Sequence, residues 1–266
     1  MINQEIIDFA NKLADLSTII AKKYFRSAEN GEVEKEDKSP VTKADQEIEV
    51  VIRAQIVAKF PEHGVIGEEY DDTNIDADYK WIIDPIDGTS SFIMGRPTFG
   101  TLIALSFRGK SILGIVNQPI SDERWLGIDD GSNRSGAWLN GKKIKTRKCT
   151  KISNALMSTT SPYFFEINNS MDKLKKLTAK TKYQRFGGVI YGGDCYAYAL
   201  LATGFVDIIF EPELKVYDFA ALIPIIKQAG GFIGDWHGNE IELKSNTKLL
   251  ACSTKELYDE VIKLIT

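Results

Sequence analysis

The chain has 266 residues, 43% of them hydrophobic and 26% charged, with 33 Lys and Arg against 37 Asp and Glu for a net charge of −4. That is the composition of a globular protein, with length for about two domains or one large α/β unit. No apolar run is long enough for a membrane span, Met1-Ile2-Asn3-Gln4-Glu5 lacks the basic region and cleavage site of a signal peptide, and the acidic balance argues against nucleic-acid binding through bulk charge.

Residues 3–29 carry Ile6, Ile7, Ala10, Leu13, Ala14, Leu16, Ile20, Ala21, Tyr24 and Phe25 at helical spacing, which predicts a long amphipathic helix. The polar stretch from Glu29 to Lys38, ending in Ser39-Pro40, reads as an arm or hairpin. Thr42 opens a second helix with Ile48, Val51, Ile52 and Ile56 on one face, stopping near Lys59 before Phe60-Pro61. Strands follow. Val65-Ile66-Gly67 leads into Glu68-Glu69, and Tyr79 to Ile83 leads into Asp84-Pro85. Phe99–Phe107 and Ser111–Val116 form a hairpin around Arg108-Gly109-Lys110, and Glu123–Ile128 and Ser135–Leu139 add strands before an Asn140-Gly141 turn. From about residue 150 strand and helix alternate. Ala155–Thr159, Val206–Phe210, Phe232–Asp235 and Leu249–Cys252 read as strands. Ser170–Thr178, Cys195–Ala202, Phe219–Gln228 (with Gly230-Gly231 past its end) and Lys255–Ile265 read as helices. The division is therefore 1–149, two helices against a mostly antiparallel sheet, and 150–266, an α/β part, packed as one body without a linker or repeat.

Two histidines, His63 and His237, lie far apart, so histidine-based metal or triad chemistry is not expected. Cys149, Cys195 and Cys252 form no CxxC pair and read as reduced, packed thiols of a cytoplasmic protein. The basic run from Lys142 to Lys151 lacks interleaved aromatics and reads as a solvated loop edge.

The informative residues are acids. In Trp81-Ile82-Ile83-Asp84-Pro85-Ile86-Asp87-Gly88-Thr89 an apolar strand delivers Asp84 to its end, Pro85 forces a turn, Asp87 follows, and Gly88-Thr89 opens a short helix. Carboxylates collect hard divalent cations and helix-start amides collect phosphate oxygens, the combination that metal-assisted phosphoryl transfer uses. Asp84 and Asp87 also suit turn and capping positions, as does Asp218 at a helix start, while Glu68-Glu69 also suits a solvated strand end.

Taken together, Ser39-Pro40-Val41-Thr42-Lys43-Ala44-Asp45, Gly67-Glu68-Glu69, Trp81 to Phe92 and Tyr217-Asp218-Phe219-Ala220-Ala221 to Gly230-Gly231 resemble, in order and over nearly the whole chain, the inositol monophosphatase family of magnesium-dependent phosphomonoesterases. The resemblance implies a layered αβαβα sandwich of the α/β (α+β) class and a homodimer acting on a small phosphorylated metabolite, with neither nucleic acid nor membrane as partner. It implies two to three Mg²⁺ per site. Glu68, Asp84 and the carbonyl of Ile86 would hold one, Asp84, Asp87 and Asp218 a second, and Glu68 with water a looser third. Asp45, Thr89 and Glu68 would be the catalytic group, with Thr89 paired to Asp45 to orient the attacking water. The N–H groups of Gly88 and Thr89 would bind phosphate, and the arm around Lys38 would close over the site. Met94 and Leu222 depart from the family's usual residues, which bears on the substrate.

Gly192-Gly193-Asp194-Cys195-Tyr196-Ala197-Tyr198 with Phe210-Glu211-Pro212 resembles the histidinol-phosphatase branch, in which Asp194 and Glu211 would face the leaving alcohol. A cationic alcohol favours added carboxylates. Asp194 also suits an N-cap of the helix beginning near Cys195, and Arg185 reads as a substrate contact, an interface residue or a surface arginine. Tyr196 and Tyr198 read as helix packing, and residues 187–193 as an extended loop. The expected reaction is hydrolysis of L-histidinol phosphate. The alternatives are an inositol or broad sugar monophosphatase, and a regulatory protein that keeps the fold.

Overall fold

The computed structural model describes residues 2–28, 31–35, 39–183, 188–244 and 247–266. In chain order the elements are helix α1 (Gln4–Tyr24), the paired strands β1 (Val33–Glu34) and β2 (Pro40–Val41), α2 (Lys43–Lys59), β3 (Gly64–Gly67), β4 (Tyr79–Asp87) and α3 (Thr89–Ile93). Next come β5 (Gly100–Phe107), β6 (Lys110–Gln118), β7 (Glu123–Ile128), β8 (Gly136–Leu139) and β9 (Lys142–Lys143). The rest holds β10 (Met157–Thr159), α4 (Pro162–Ile167), α5 (Met171–Thr178), β11 (Val189–Tyr191), α6 (Asp194–Ala202) and β12 (Ile208–Leu214). It ends with α7 (Val216–Phe219), α8 (Leu222–Gln228), β13 (Phe232–Asp235), β14 (Thr247–Cys252) and α9 (Lys255–Ile265).

Strands β3 to β9 form one sheet in sequence order, antiparallel except for β3 on β4. The second sheet runs β11-β10-β12-β14-β13, with β10 parallel to both neighbours and β14 antiparallel to both of its own. Period-two alternation decides the layering. Trp81, Ile83, Ile103 and Leu105 face α1 and α2 in one apolar cluster. Ile82, Leu102 and Ala104 point the other way, joining α6, α8 and one face of the second sheet in another. Leu250 and Cys252 face α4, α5 and α9 in a third, while Leu249 and Ala251 belong to the middle one. The outcome is the five-layered αβαβα sandwich expected.

Local chemistry explains most boundaries. Asn3 caps α1, its side chain accepting from the N–H of Ile6 at 2.9 Å. Thr42 and Asp45 form a reciprocal capping box on α2. The Arg108-Gly109 and Asn140-Gly141 loops take positive φ at both residues, the hairpin geometry matched to strand twist. Past α8, Gly230 at φ +94° lets its own N–H and that of Gly231 return to Lys227 and Ile226. Two further glycines admit close packing. A Cβ at Gly114 would collide with the Ala221 carbonyl and one at Gly127 with the Ile225 backbone, so the α7–α8 segment lies directly on the first sheet. That contact carries Asp218 toward β4.

Several expectations are corrected. The first helix ends at Tyr24, not residue 29, because Phe25 leaves helical angles. β4 does not stop at a Pro85 turn but runs to Asp87, and β12 likewise runs past Pro212 to Leu214. Both prolines sit at bulges, where a missing N–H costs the ladder nothing. The helix expected over 219–228 is two, α7 and α8, changing at Ala220-Ala221. Helix α4 was not expected, and part of the extended 187–193 loop is edge strand β11.

Candidate active site

A cleft of about 550 Å³ opens between the sheets, lined among others by Glu68, Asp87, Asp194, Glu211 and Asp218. The bulge in β4 turns Asp84 and Asp87 toward it. Carboxylate oxygens of Asp84, Asp87 and Asp218 lie within 4.8 Å of one another. Asp84 is 2% exposed, and its Oδ1 has no hydrogen-bond partner among the described residues. Burial first, then Glu68, Asp87, Asp218 and Asp45, push its carboxyl well above the usual range. Asp87 is raised in the same way, by burial and then by Asp194 and Asp218. Asp218, pushed up to about 7 mainly by burial, accepts the N–H of Lys215 at 2.7 Å, which fixes it at the start of α7. Acids crowded and desolvated like this cannot all ionise alone. An orphaned buried oxygen beside two more aspartates fits a hard divalent cation, which takes oxygen ligands and supplies the missing charge.

Burial raises the Glu68 carboxyl, against the lowering effect of Lys35. Asp45 is fully buried on α2, pushed up to about 6 by desolvation, and accepts from the Thr42 N–H at 2.8 Å. The Thr89 hydroxyl lies 3.3 Å from Asp45 Oδ1 and 3.0 Å from the carbonyl of Ile86. Gly88, the cap of α3 at φ +91°, packs so tightly that a Cβ would sit 2.8 Å from Asp194 Oδ2. Glu68, Asp87 and Asp218 thus line the cleft, Asp84 lies with Asp87 and Asp218, and Thr89 links Asp45 to the Ile86 carbonyl beside Gly88.

Asp194 and Glu211 line the same cleft. Asp194 is the first residue of α6 and not its cap, which is Gly193. The amide that follows, that of Cys195, donates instead to Asp87 Oδ2. Burial pushes Asp194 up to about 6, against Ser91 and Arg96. Glu211 lies within β12 rather than at its end, 2% exposed, accepting the Thr160 N–H at 2.6 Å and hydroxyl at 3.0 Å. Desolvation lifts it to about 8. Arg185 and Lys38 lie outside the described residues. Met94 is solvent-exposed and Leu222 is buried in the middle core, so neither lines the cleft.

Sequence reasoning missed three supports. Lys35, brought in by the β1–β2 pair, places its ammonium 2.7 Å from Glu69 and 3.2 Å from Glu68. Glu49, fully buried on α2, accepts the N–H groups of Glu68 at 3.1 Å and Glu69 at 2.8 Å and is itself gripped by Arg53. An acid on the buried face of an amphipathic helix, one turn after Asp45, was the available signal. Thr160 carried none, since it meets Glu211 across 51 residues.

A five-layered fold with acids gathered at its cleft agrees with one class of enzyme, the phosphatases. The chain belongs to the inositol monophosphatase family, whose model matches residues 2–266, and it is a phosphoric monoester hydrolase. It is 45% identical over 245 residues to the "Bifunctional phosphatase IMPL2, chloroplastic" of Arabidopsis thaliana, covering 91% of this chain and 68% of that protein. It is 34% identical over 238 residues to a histidinol-phosphatase of Chlorobaculum parvum, covering 88% and 87%. A solved inositol monophosphatase from Zymomonas mobilis superposes with a TM-score of 0.85 at 37% identity, covering 98% of each chain.

Proposed function

We propose that the protein is a Mg²⁺-dependent phosphomonoesterase that hydrolyses L-histidinol phosphate to L-histidinol and phosphate. The observation that carries this reading is the gathering of acids at one cleft, where carboxylate oxygens of Asp84, Asp87 and Asp218 lie within 4.8 Å of one another and Asp87, Asp194, Glu211 and Asp218 share the lining. Glu68, Asp84, Asp87, Asp218 and the carbonyl of Ile86 would hold two to three Mg²⁺. When bound, the cations offset the charge of the phosphate dianion and acidify water. Thr89, donating to Asp45, orients the attacking water and passes its proton toward that carboxylate. The amides of Gly88 and Thr89 face the phosphate. Asp194 and Glu211 receive the cationic alcohol.

A second reading, a polyol phosphatase, draws on Glu211. A carboxyl lifted to about 8 is uncharged at neutral pH and hydrogen-bonds a neutral hydroxyl as readily as an amine. Comparing kcat/KM for L-histidinol phosphate and myo-inositol 1-phosphate under saturating Mg²⁺ separates the two; preference for the polyol ester defeats the first. A homodimer belongs to the same proposal, with exposed Ile190 and Tyr191 on edge strand β11, and Phe205, offering an apolar surface. So does a cytoplasmic location, supported by three free, buried cysteines. No helix among the described residues is long and apolar enough to cross a membrane.

A further inference from the structure

Tyr198 is 3% exposed, and its phenol oxygen has no hydrogen-bond partner among the described residues. A buried hydroxyl without a partner has lost its bonds to water and gained none, a condition native proteins seldom tolerate without a reason. This one lines the cleft. It stands four residues after Asp194 on α6, so the two project from one helix face. Its ring is packed in the middle apolar layer, which fixes where the oxygen lies. Glu211, the carboxyl that acts on it most strongly, is already engaged at Oε1 by the N–H and hydroxyl of Thr160. Burial and the surrounding carboxylates push the phenol well above its ordinary value, so it remains a neutral group that both donates and accepts.

Resting on the reading of the substrate as an amino alcohol ester, we propose that the Tyr198 hydroxyl binds the nitrogen-bearing end of the leaving alcohol and, with Glu211 and Asp194, selects it over a polyol. The phenol donates to a neutral ring nitrogen or accepts from an ammonium, while Asp194 accepts from an ammonium or ring N–H and the uncharged Glu211 carboxyl pairs with a nitrogen or an N–H. A polyol pairs with these groups singly but brings no charge to a wall of buried acids. Tyr198 is thus a specificity-determining residue rather than a packing residue alone.

Tyr198→Phe tests this, because it removes one oxygen and keeps the ring. The variant and the parent are assayed with Mg²⁺ on L-histidinol phosphate, myo-inositol 1-phosphate and p-nitrophenyl phosphate. L-Histidinol binding is followed by calorimetry and Tm by melting. Expected are a loss of about tenfold in kcat/KM for L-histidinol phosphate, carried by KM, and a similar weakening of L-histidinol binding. Turnover of p-nitrophenyl phosphate should stay within about twofold, and Tm at or above the parent's, since an unpaired hydroxyl has been removed. Parental preference for L-histidinol phosphate with no loss in the variant, or with equal loss on p-nitrophenyl phosphate, overturns the role of Tyr198 and leaves the substrate reading standing. Parental preference for the inositol ester overturns the substrate reading, and the nitrogen partner with it.

Discussion

Strands β4 and β12, one in each sheet, carry the same device and use it differently. In both, an acid precedes a proline at a bulge, Asp84-Pro85 and Glu211-Pro212. Between Asp84↔Leu102 and Asp87↔Gly100, β4 takes three steps where β5 takes two; between Glu211↔Leu249 and Leu214↔Thr247, β12 does the same against β14. The extra residue re-aims side chains at the cleft while proline removes an N–H that would have no ladder partner. The surroundings then diverge. Asp84 has an orphaned oxygen and is crowded by other acids, whereas Glu211 accepts two hydrogen bonds from Thr160. Asp84 calls for a positive ion; Glu211 is held by the chain itself. On the proposed reading the same backbone solution serves charge collection and recognition, because neighbours decide the role.

The largest effect should come from the β4 side. Asp87→Asn is expected to lower kcat/KM by about a thousandfold, matching several kcal/mol of transition-state stabilisation supplied through the metal, and excess EDTA should abolish turnover of the parent. Full turnover in EDTA would sink the metal mechanism and erase the contrast between the strands.

Melting against pH sharpens the contrast. Asp84, Asp87 and Asp218, the last at about 7, bind protons more tightly folded than unfolded. Their contribution to stability is full below about pH 4, where acids of the unfolded chain are protonated too, and is lost as pH rises through the folded values. In EDTA, Tm should therefore fall from about pH 4 to pH 7, and Asp84→Asn should flatten the slope. Mg²⁺ at about a hundred times its Kd adds about 2.7 kcal/mol, or about 5–10 °C. That gain should vanish in Asp84→Asn and persist in Glu211→Gln. A gain that survives Asp84→Asn would place the cation elsewhere, and a metal-independent Tm in the parent would mean that the folded chain holds none.

The smallest effect is on the β12 side. Thr160→Val removes the hydroxyl bond to Glu211 but keeps the amide, so about 1 kcal/mol and about 2–4 °C of Tm should be lost. An unchanged Tm would mean that Glu211 is held by the backbone alone.

Much of this was legible in the sequence where the signal was local. The capping box from Thr42 to Asp45, the two X-Gly hairpins and the glycines after α8 all announce themselves within a few residues. The resemblance drew on four local motifs, and the acids it named do converge. Proline misled at Pro85, because in sequence it marks a turn and a bulge alike, and only a neighbouring strand tells them apart. Helix α4 was hidden by its aromatic residues, Tyr163 to Phe165, which have little helix propensity, though Pro162 at its start suited it. Glu49, Lys35 and Thr160 act through contacts distant in sequence, and Tyr198 is informative only through an oxygen that has no partner among the described residues.

One hydrogen bond joins Asp87 to helix α6. The Cys195 amide, at the head of the helix bearing Asp194 and Tyr198, donates to Asp87. On the proposed reading that carboxylate answers to the cation beside it and also to the helix, so the affinity for metal and the affinity for alcohol would share a term. By reciprocity, whatever factor the metal adds to alcohol binding, the alcohol returns to metal binding. Affinities measured one ligand at a time would then leave out that common factor, and the order in which ligands are added would set the apparent constants without changing the final complex.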